Sequence, residues 1–247
     1  MPKVDIILLT HGLPKTTQAC LSSIKEAGGD YRIIWIDNGS VLPEREGVEY
    51  FLASQKIPHL AVRLGKNVGF LRAFNAGLTL SRAPFVAALN NDTEVPRGWI
   101  ERLIETAGRK DAGIVGVIEE GACEKGSQQP AVMHEAFRQR YDNGDVVEAK
   151  MVSLFCAMIP RRTLQKVGLL SAAYEPGFLD DDDYCERIRS AGLKCLVDMS
   201  VHVKHKRRST WRTIKSEEEI QKMIMERREQ FKQQPVSQGG WACVRGD

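Results

Sequence analysis

The chain has 247 residues, of which 43% are hydrophobic and 27% charged, and its formal net charge is +3. That length suits one large α/β domain or two small ones, with a sizeable core, and the composition is ordinary for a globular protein. So small a positive excess does not by itself argue for nucleic-acid binding, and no nucleic-acid partner is expected.

The amino terminus reads MPKVDIILLTHG, a short strand-like apolar run with Asp5 inside it. No stretch approaches the roughly 20 apolar residues that a membrane-spanning helix needs. Neither a signal peptide nor an anchor is read there, and a cytoplasmic protein is expected, with peripheral attachment at a membrane as the alternative. The six cysteines are Cys20, Cys123, Cys156, Cys185, Cys195 and Cys243. They form no close Cys-x-x-Cys pair, so they read as reduced core residues rather than a zinc site.

Val4 to Leu9 suits a buried parallel strand. Thr16 to Ala27 reads as a helix closed by Gly28-Gly29, and Tyr31 to Ile36 as a second strand stopped by the turn residues Asp37-Asn38-Gly39-Ser40. His59 to Leu64 is a weaker third strand, Phe70 to Ser81 a helix, and Phe85 to Leu89 a fourth strand. Trp99 to Gly108 follows as a helix and Ala112 to Ile118 as a further strand. Glu119 to Lys150 is polar and aperiodic, read as loops with a hairpin around Asn143-Gly144. Met151 to Ile159 is apolar again, Tyr184 to Ala191 is helical and closed by Gly192, and Leu193 to Val197 is a late strand. Ser216 to Gln234 is a charged helix opened by a capping box of Ser216 and Glu219, before a tail from Pro235 to Asp247. The alternation predicts an α/β fold with a mainly parallel sheet flanked by helices, whose ligands bind beyond the carboxyl ends of the strands.

Four segments carry residue types suited to chemistry. Asn90-Asn91-Asp92 ends the fourth strand, where a carboxylate is placed to hold a hard cation shared with phosphates; the alternative is a plain turn before Pro96. Asp180 to Asp183 places four consecutive carboxylates just ahead of a helical stretch. The helix dipole accounts for one or two of them but not four, and one acid there is suited to act as a general base. Val201 to Arg208 alternates and then turns basic, offering His202 or His205 as a metal ligand and cations for phosphate, or else a solvated edge that resists pairing. Lys66-Asn67-Val68-Gly69-Phe70 opens a helix whose amino terminus suits phosphate, although the Walker and Rossmann glycine spacings are absent.

In order, VDIILLTHG, IDNGS, KNVGFLRAFNAG, LNNDTEVP, FLDDDDYCERIRSAG and VKHKRRST resemble the family 2 glycosyltransferases with the GT-A fold, over roughly Val4 to Thr210. The Asn-x-Gly-Phe and Leu-Asn-x-Asp signals are similar to those of rhamnosyltransferase-like members. The resemblance implies one Rossmann-like GT-A domain over 1–214. Its nucleotide-sugar-binding half is 1–118 and its acceptor and catalytic half 119–214, with a terminal helix and tail over 215–247.

It implies that Thr10, His11 and Asp37 surround the donor base and ribose, and that Asn67, Gly69 and Asn91 support the nucleotide and its pyrophosphate. Asp92 would bind the diphosphate through a divalent metal, Mn2+ or Mg2+, with His205 completing the coordination. Asp181 would be the catalytic base of an inverting transfer, with Asp180 and Asp183 supporting it or the acceptor. Arg207 or Arg208 and Ser209 would hold the diphosphate. The implied donor is a UDP-, dTDP- or GDP-linked sugar and the acceptor a hydroxyl on a glycan or lipid-linked molecule, as in cell-surface polysaccharide synthesis.

Two departures stand out. Thr10-His11-Gly12 replaces the common Thr-Tyr-Asn, and Asn90 replaces the first acid of the Asp-x-Asp motif. The rival readings are a binding module that has lost catalysis and a nucleotidyltransferase, whose glycine-rich signature followed by Arg and Lys is absent from THGLPKTTQ. The charged C-terminal helix is left open between packing on the domain, forming a homodimer and lying at a membrane surface.

Overall fold

The computed structural model describes residues 1–120, 146–175, 177, 179–206 and 216–233. Four parallel strands come first: β1 (Val4–Thr10), β2 (Tyr31–Asn38), β3 (His59–Leu64) and β4 (Phe85–Asn90). They lie in the order β3-β2-β1-β4, so the chain steps outward from β1 and then returns to its other side. That reversal opens the crevice beyond the carboxyl ends of β1 and β4, where open α/β sheets bind ligands.

The same sheet continues through β8 (Cys156–Pro160), β6 (Ala112–Glu120), β9 (Lys194–His205) and β5 (Thr93–Glu94), with β7 (Val146–Glu148) also on β9. β8 runs antiparallel to both β4 and β6, whereas β6 and β9 are parallel. The expected α/β architecture therefore holds, parallel in its first half and mixed beyond β4. The two expected halves share one sheet.

Alternation along β1 sends Val4, Ile6 and Leu8 into one core and Ile7 into the other. The first core is closed by α1 (Pro14–Ala27) through Leu21 and Ile24 and by α4 (Trp99–Ala107) through Trp99, Ile100 and Leu103. α3 (Phe70–Leu80) covers the other with Leu71, Phe74 and Leu78, beside Tyr184 and Ile188 of α6 (Asp180–Ser190). Gly77 lets α3 sit close to the sheet, since a Cβ there would fall 2.8 Å from both Ile7 and Ile36.

Two helices escape the sequence reading. α2 (Leu42–Ser54) buries only Val48 and Leu52, too narrow a stripe to stand out, and α5 (Arg161–Val167) is short and buries Thr163 alone. β2 runs on to Asn38, so the expected turn at Asp37-Asn38 begins two residues later. α6 begins at Asp180, so the four acids form its first turn rather than preceding it. β9 continues to His205 through three extra residues, because Val117 pairs with Asp198 but Ile118 pairs with His202.

The C-terminal helix α7 (Glu217–Gln233) has the expected capping box. The Ser216 N–H donates to Glu219 Oε2 at 2.8 Å and the Glu219 N–H to Ser216 Oγ at 3.3 Å. No helix among the described residues is long and apolar enough to cross a membrane. Cys20, Cys156, Cys185 and Cys195 are buried free thiols, as expected. Cys123, Cys243, the Asn143-Gly144 hairpin and the Pro235–Asp247 tail lie outside the described residues.

Asp5, the one charge in the β1 run, is fully buried. It accepts from Arg32 Nε at 2.9 Å and from the Arg82 and Ala83 amides at 2.7 and 2.9 Å, fixing the turn into β4. Removing one partner of a buried charged network leaves the other unsatisfied. Asp5→Ala is expected to cost about 3 kcal/mol, seen as a lower urea midpoint at unchanged slope.

Candidate active site

The carboxyl ends of β1, β2 and β4, the end of β9 and the first turn of α6 carry the expected site residues. His205 lies at the centre of one group. Its Nε2 is 3.2 Å from Asp92 Oδ1 and its Nδ1 3.0 Å from Glu119 Oε1. The Asn90 amide is 3.3 Å from the same Nε2, and the Phe155 ring stacks on the imidazole with centroids 4.6 Å apart and planes 6° from parallel. Burial alone lowers the imidazole pKa, but the hydrogen bonds and charges of Asp92 and Glu119 outweigh it and raise it to about 9.

The β9 bulge delivers His205 to this point. Asp198, fully buried, accepts from the Ser200 N–H at 3.1 Å, the Ser200 hydroxyl at 2.6 Å and the Thr106 hydroxyl of α4 at 2.6 Å. Beyond the bulge Glu119 pairs with Val203 and Thr93 with His205, which brings the ends of three strands together.

The second group is the acid turn. Asp181 Oδ1 accepts from the Leu154 N–H at 3.2 Å. Burial pushes its carboxyl up to about 6, although the Leu154 N–H and the Ser153 hydroxyl pull the other way. Asp180, also buried, is raised by burial and then by the neighbouring Asp181 charge. Asp183 is tied instead to Arg187, whose Nε donates at 2.9 Å and whose Nη1 reaches the Val167 and Leu169 carbonyls. Leu179 enters the helix at φ +119°, an uncommon conformation for a branched side chain and a sign of stored strain.

The segment Ser153-Leu154-Phe155 joins the two groups. Leu154 holds Asp181, Phe155 stacks on His205, and the Phe155 carbonyl accepts from the Asn90 N–H at 2.8 Å. Asp181 and His205 thus both rest on this segment, and Asp92 joins it through His205.

The third group lies at the ends of β1 and β2. Asp37 is fully buried; its Oδ1 accepts from the Ser40 N–H at 3.3 Å, and its Oδ2 has no hydrogen-bond partner among the described residues. His11 Nδ1 is 3.0 Å from the Asn38 carbonyl. Asn38 bridges to the loop before α3, donating to Asn67 Oδ1 and the Gly69 carbonyl, both at 3.1 Å, and accepting from the Val68 N–H at 3.0 Å. Gly69, at φ +95°, faces the Glu175 carboxylate so closely that a Cβ would lie 2.6 Å from it. Glu175 Oε1 accepts from the Arg72 N–H at 2.9 Å, tying the approach to the acid turn to the amino terminus of α3.

Two of the residues expected at the donor have side chains that also bond within the fold. The Thr10 hydroxyl donates to the Ile36 carbonyl and accepts from the Trp35 indole at 2.9 Å, and the Asn91 amide donates to the Thr17 hydroxyl of α1 at 3.0 Å. Both side chains bond inside the fold because alternation at those strand ends turns them inward. Arg207, Arg208 and Ser209 lie outside the described residues. Of the two histidines offered by the sequence, His205 has its Nε2 3.2 Å from Asp92 Oδ1.

Sequence reading passed over Glu119, Asn38, Phe155 and Glu175. Asn38 ends a parallel strand, the same kind of signal that picked out Asp92, whereas Glu119 lies inside β6 in a stretch that reads as loop and Phe155 and Glu175 have no local signature. Asn38→Ala leaves the Val68 N–H and the Gly69 carbonyl without their partner. It is expected to cost about 2 kcal/mol and to speed hydrogen exchange at the Val68 amide, which amide exchange resolved by residue checks.

The sheet order, with its reversal between β1 and β4 and antiparallel β8, is that of the GT-A fold shared with the solved structures that follow. The family model for Glycosyl transferase family 2 matches residues 5–168, more than half the chain, and the chain belongs to that family. A mannosyltransferase of Pyrobaculum calidifontis, solved with GDP-Man and Mn2+, superposes with a TM-score of 0.70 at 16% identity, over 85% of this chain and 60% of that one. GalNAc-T7, solved with UDP, GalNAc and Mn2+, does so with a TM-score of 0.63 at 15% identity, over 83% of this chain and 43% of its own. A provisionally named polypeptide N-acetylgalactosaminyltransferase 9 of Drosophila melanogaster is 26% identical over 121 residues, 47% of this chain and 18% of its own. The chain spans less than a quarter of the length of the curated relatives it matches.

Proposed function

We propose that this chain transfers one sugar, with inversion, from a nucleoside-diphosphate donor to an acceptor hydroxyl, with Asp181 as the base. The observation that carries the reading is that Leu154 holds Asp181 while the adjoining Phe155 stacks on His205, which pairs with Asp92. Family membership supports the reaction class.

A divalent cation fits the donor set. The Asp92 oxygen and the His205 nitrogen are 3.2 Å apart on a buried wall, close enough to serve one ion in place of the proton they share. Among the described residues no group of three or more His, Cys, Asp or Glu side chains forms a ready cation cage. Mg2+ is typically held by one or two side chains and completes its shell with water and substrate phosphates. Asp92 and His205 would hold the ion, and the ion would offset charge on the departing diphosphate. The solved relatives with Mn2+ and a nucleotide or nucleotide sugar support this choice.

The remaining roles fall to the chain itself. Asp37 Oδ2, buried and without a partner among the described residues, accepts an imino N–H of the base, a group that uracil, thymine and guanine carry. Asn67 and Gly69, braced by Asn38, shape the wall beside the ribose. Asp181, held by Leu154, takes the acceptor proton as the hydroxyl oxygen attacks the anomeric carbon. Asp183 supports the acid turn through Arg187. A second reading, a donor-binding module without catalysis, is favoured by one observation, the neutral Asn90 in the motif's first acid position.

A panel of UDP-, dTDP- and GDP-sugars with Mn2+, read by transfer or slow donor hydrolysis, separates the two readings. Asp181→Asn is expected to lower turnover by roughly 10²- to 10⁴-fold with donor affinity unchanged. Turnover near the wild-type rate would remove Asp181 from the role, and binding without turnover in the wild type would favour the module. Because the Asp181 carboxyl is raised to about 6, it holds its proton below that pH and cannot accept another. The rate should therefore rise with pH to about 6 and level off above it, and the Asp181→Asn variant should lack that limb.

A further inference from the structure

Asn90 leaves the strand-end motif one carboxylate short, yet a second carboxylate stands at His205. It comes from Glu119, near the end of β6, whose Oε1 is 3.0 Å from Nδ1 on the side of the ring away from Asp92. Glu119 pairs with Val203, two residues before His205, so the imidazole reaches it diagonally across one face of the sheet. Phe155 fixes the ring plane by stacking. Its rotation is left to the two nitrogens, and an acceptor at Nδ1 favours the tautomer with the lone pair on Nε2, beside the Asn90 amide and Asp92.

We infer that Glu119 is a positioning residue for the cation site. It accepts the Nδ1 proton of His205 and fixes the tautomer whose Nε2 faces Asp92. The inference rests on the proposed cation site. A carboxylate behind a ligating imidazole raises its basicity, and loss of such a partner weakens metal binding by roughly 10- to 100-fold.

The test titrates Mn2+ alone and in the presence of UDP and of GDP, counting free Mn2+ by electron paramagnetic resonance. Glu119→Ala should weaken Mn2+ binding by roughly 10- to 100-fold, and Glu119→Gln, which keeps an acceptor for Nδ1, should recover most of it. In a His205→Ala background the change at Glu119 should have no further effect, since the residue acts only through the ring. Should the alanine variant not fold, Glu119→Met keeps the bulk and lacks the acceptor. Unchanged Mn2+ affinity in Glu119→Ala, or an equal loss with His205 already removed, would overturn the assignment alone. A wild-type protein that takes up no Mn2+ under any of the three conditions would overturn the cation site and the assignment together.

Discussion

The His205 imidazole joins three places that are distant in sequence. Asp92 follows β4, Glu119 lies near the end of β6 and His205 ends β9, and the ring meets both carboxylates. One buried and one half-buried carboxylate about a single imidazole are an expensive way to hold a fold together, because desolvation of charges offsets much of their attraction. Such clusters concentrate at functional sites, where the perturbed charge has a use. The surrounding architecture is consistent with that. The β9 bulge, pinned by Asp198, and the mixed half of the sheet both serve to bring the end of β9 beside the end of β4.

The acid turn is built on the opposite principle. Around His205 opposite charges are brought together, whereas the like charges of buried Asp180 and half-buried Asp181 lie side by side and both carboxyls are raised. The amino terminus of α6 and the Leu154 N–H offset part of that repulsion. Asp183 escapes it through Arg187. The strained φ at Leu179 fits a segment whose geometry is set by function rather than by backbone preference. The polypeptide thus keeps one pole suited to a cation and another suited to taking a proton, with Ser153 to Phe155 between them.

Much of the fold was legible because the strands are short apolar runs with turn residues at their ends. β1, β3 and β4 were placed within a residue, and the α/β class followed from their alternation with helices. α2 and α5 were illegible because each buries so little that no periodic stripe forms. The length of β9 was hidden by its bulge, which breaks the alternation at Asp198 to Ser200. In the site, Asp92, Asp181 and His205 announced themselves as charges at strand ends or in an acid run. The internal bonds of Thr10 and Asn91 were not legible, since residue type does not reveal which way a strand-end side chain turns. Glu119 was hidden in a polar stretch that looked like loop, although it lies inside β6.

The central claim is that Asp92 and His205 form one cation site within reach of Asp181. Its most direct measurement is the anomalous signal of Mn2+ in crystals grown with the ion and a nucleoside diphosphate. The account predicts a single strong peak within about 2.5 Å of both the Asp92 carboxylate and the His205 Nε2, with diphosphate oxygens completing the shell. A peak elsewhere on the chain, or diphosphate bound with no ion between it and Asp92, would contradict it.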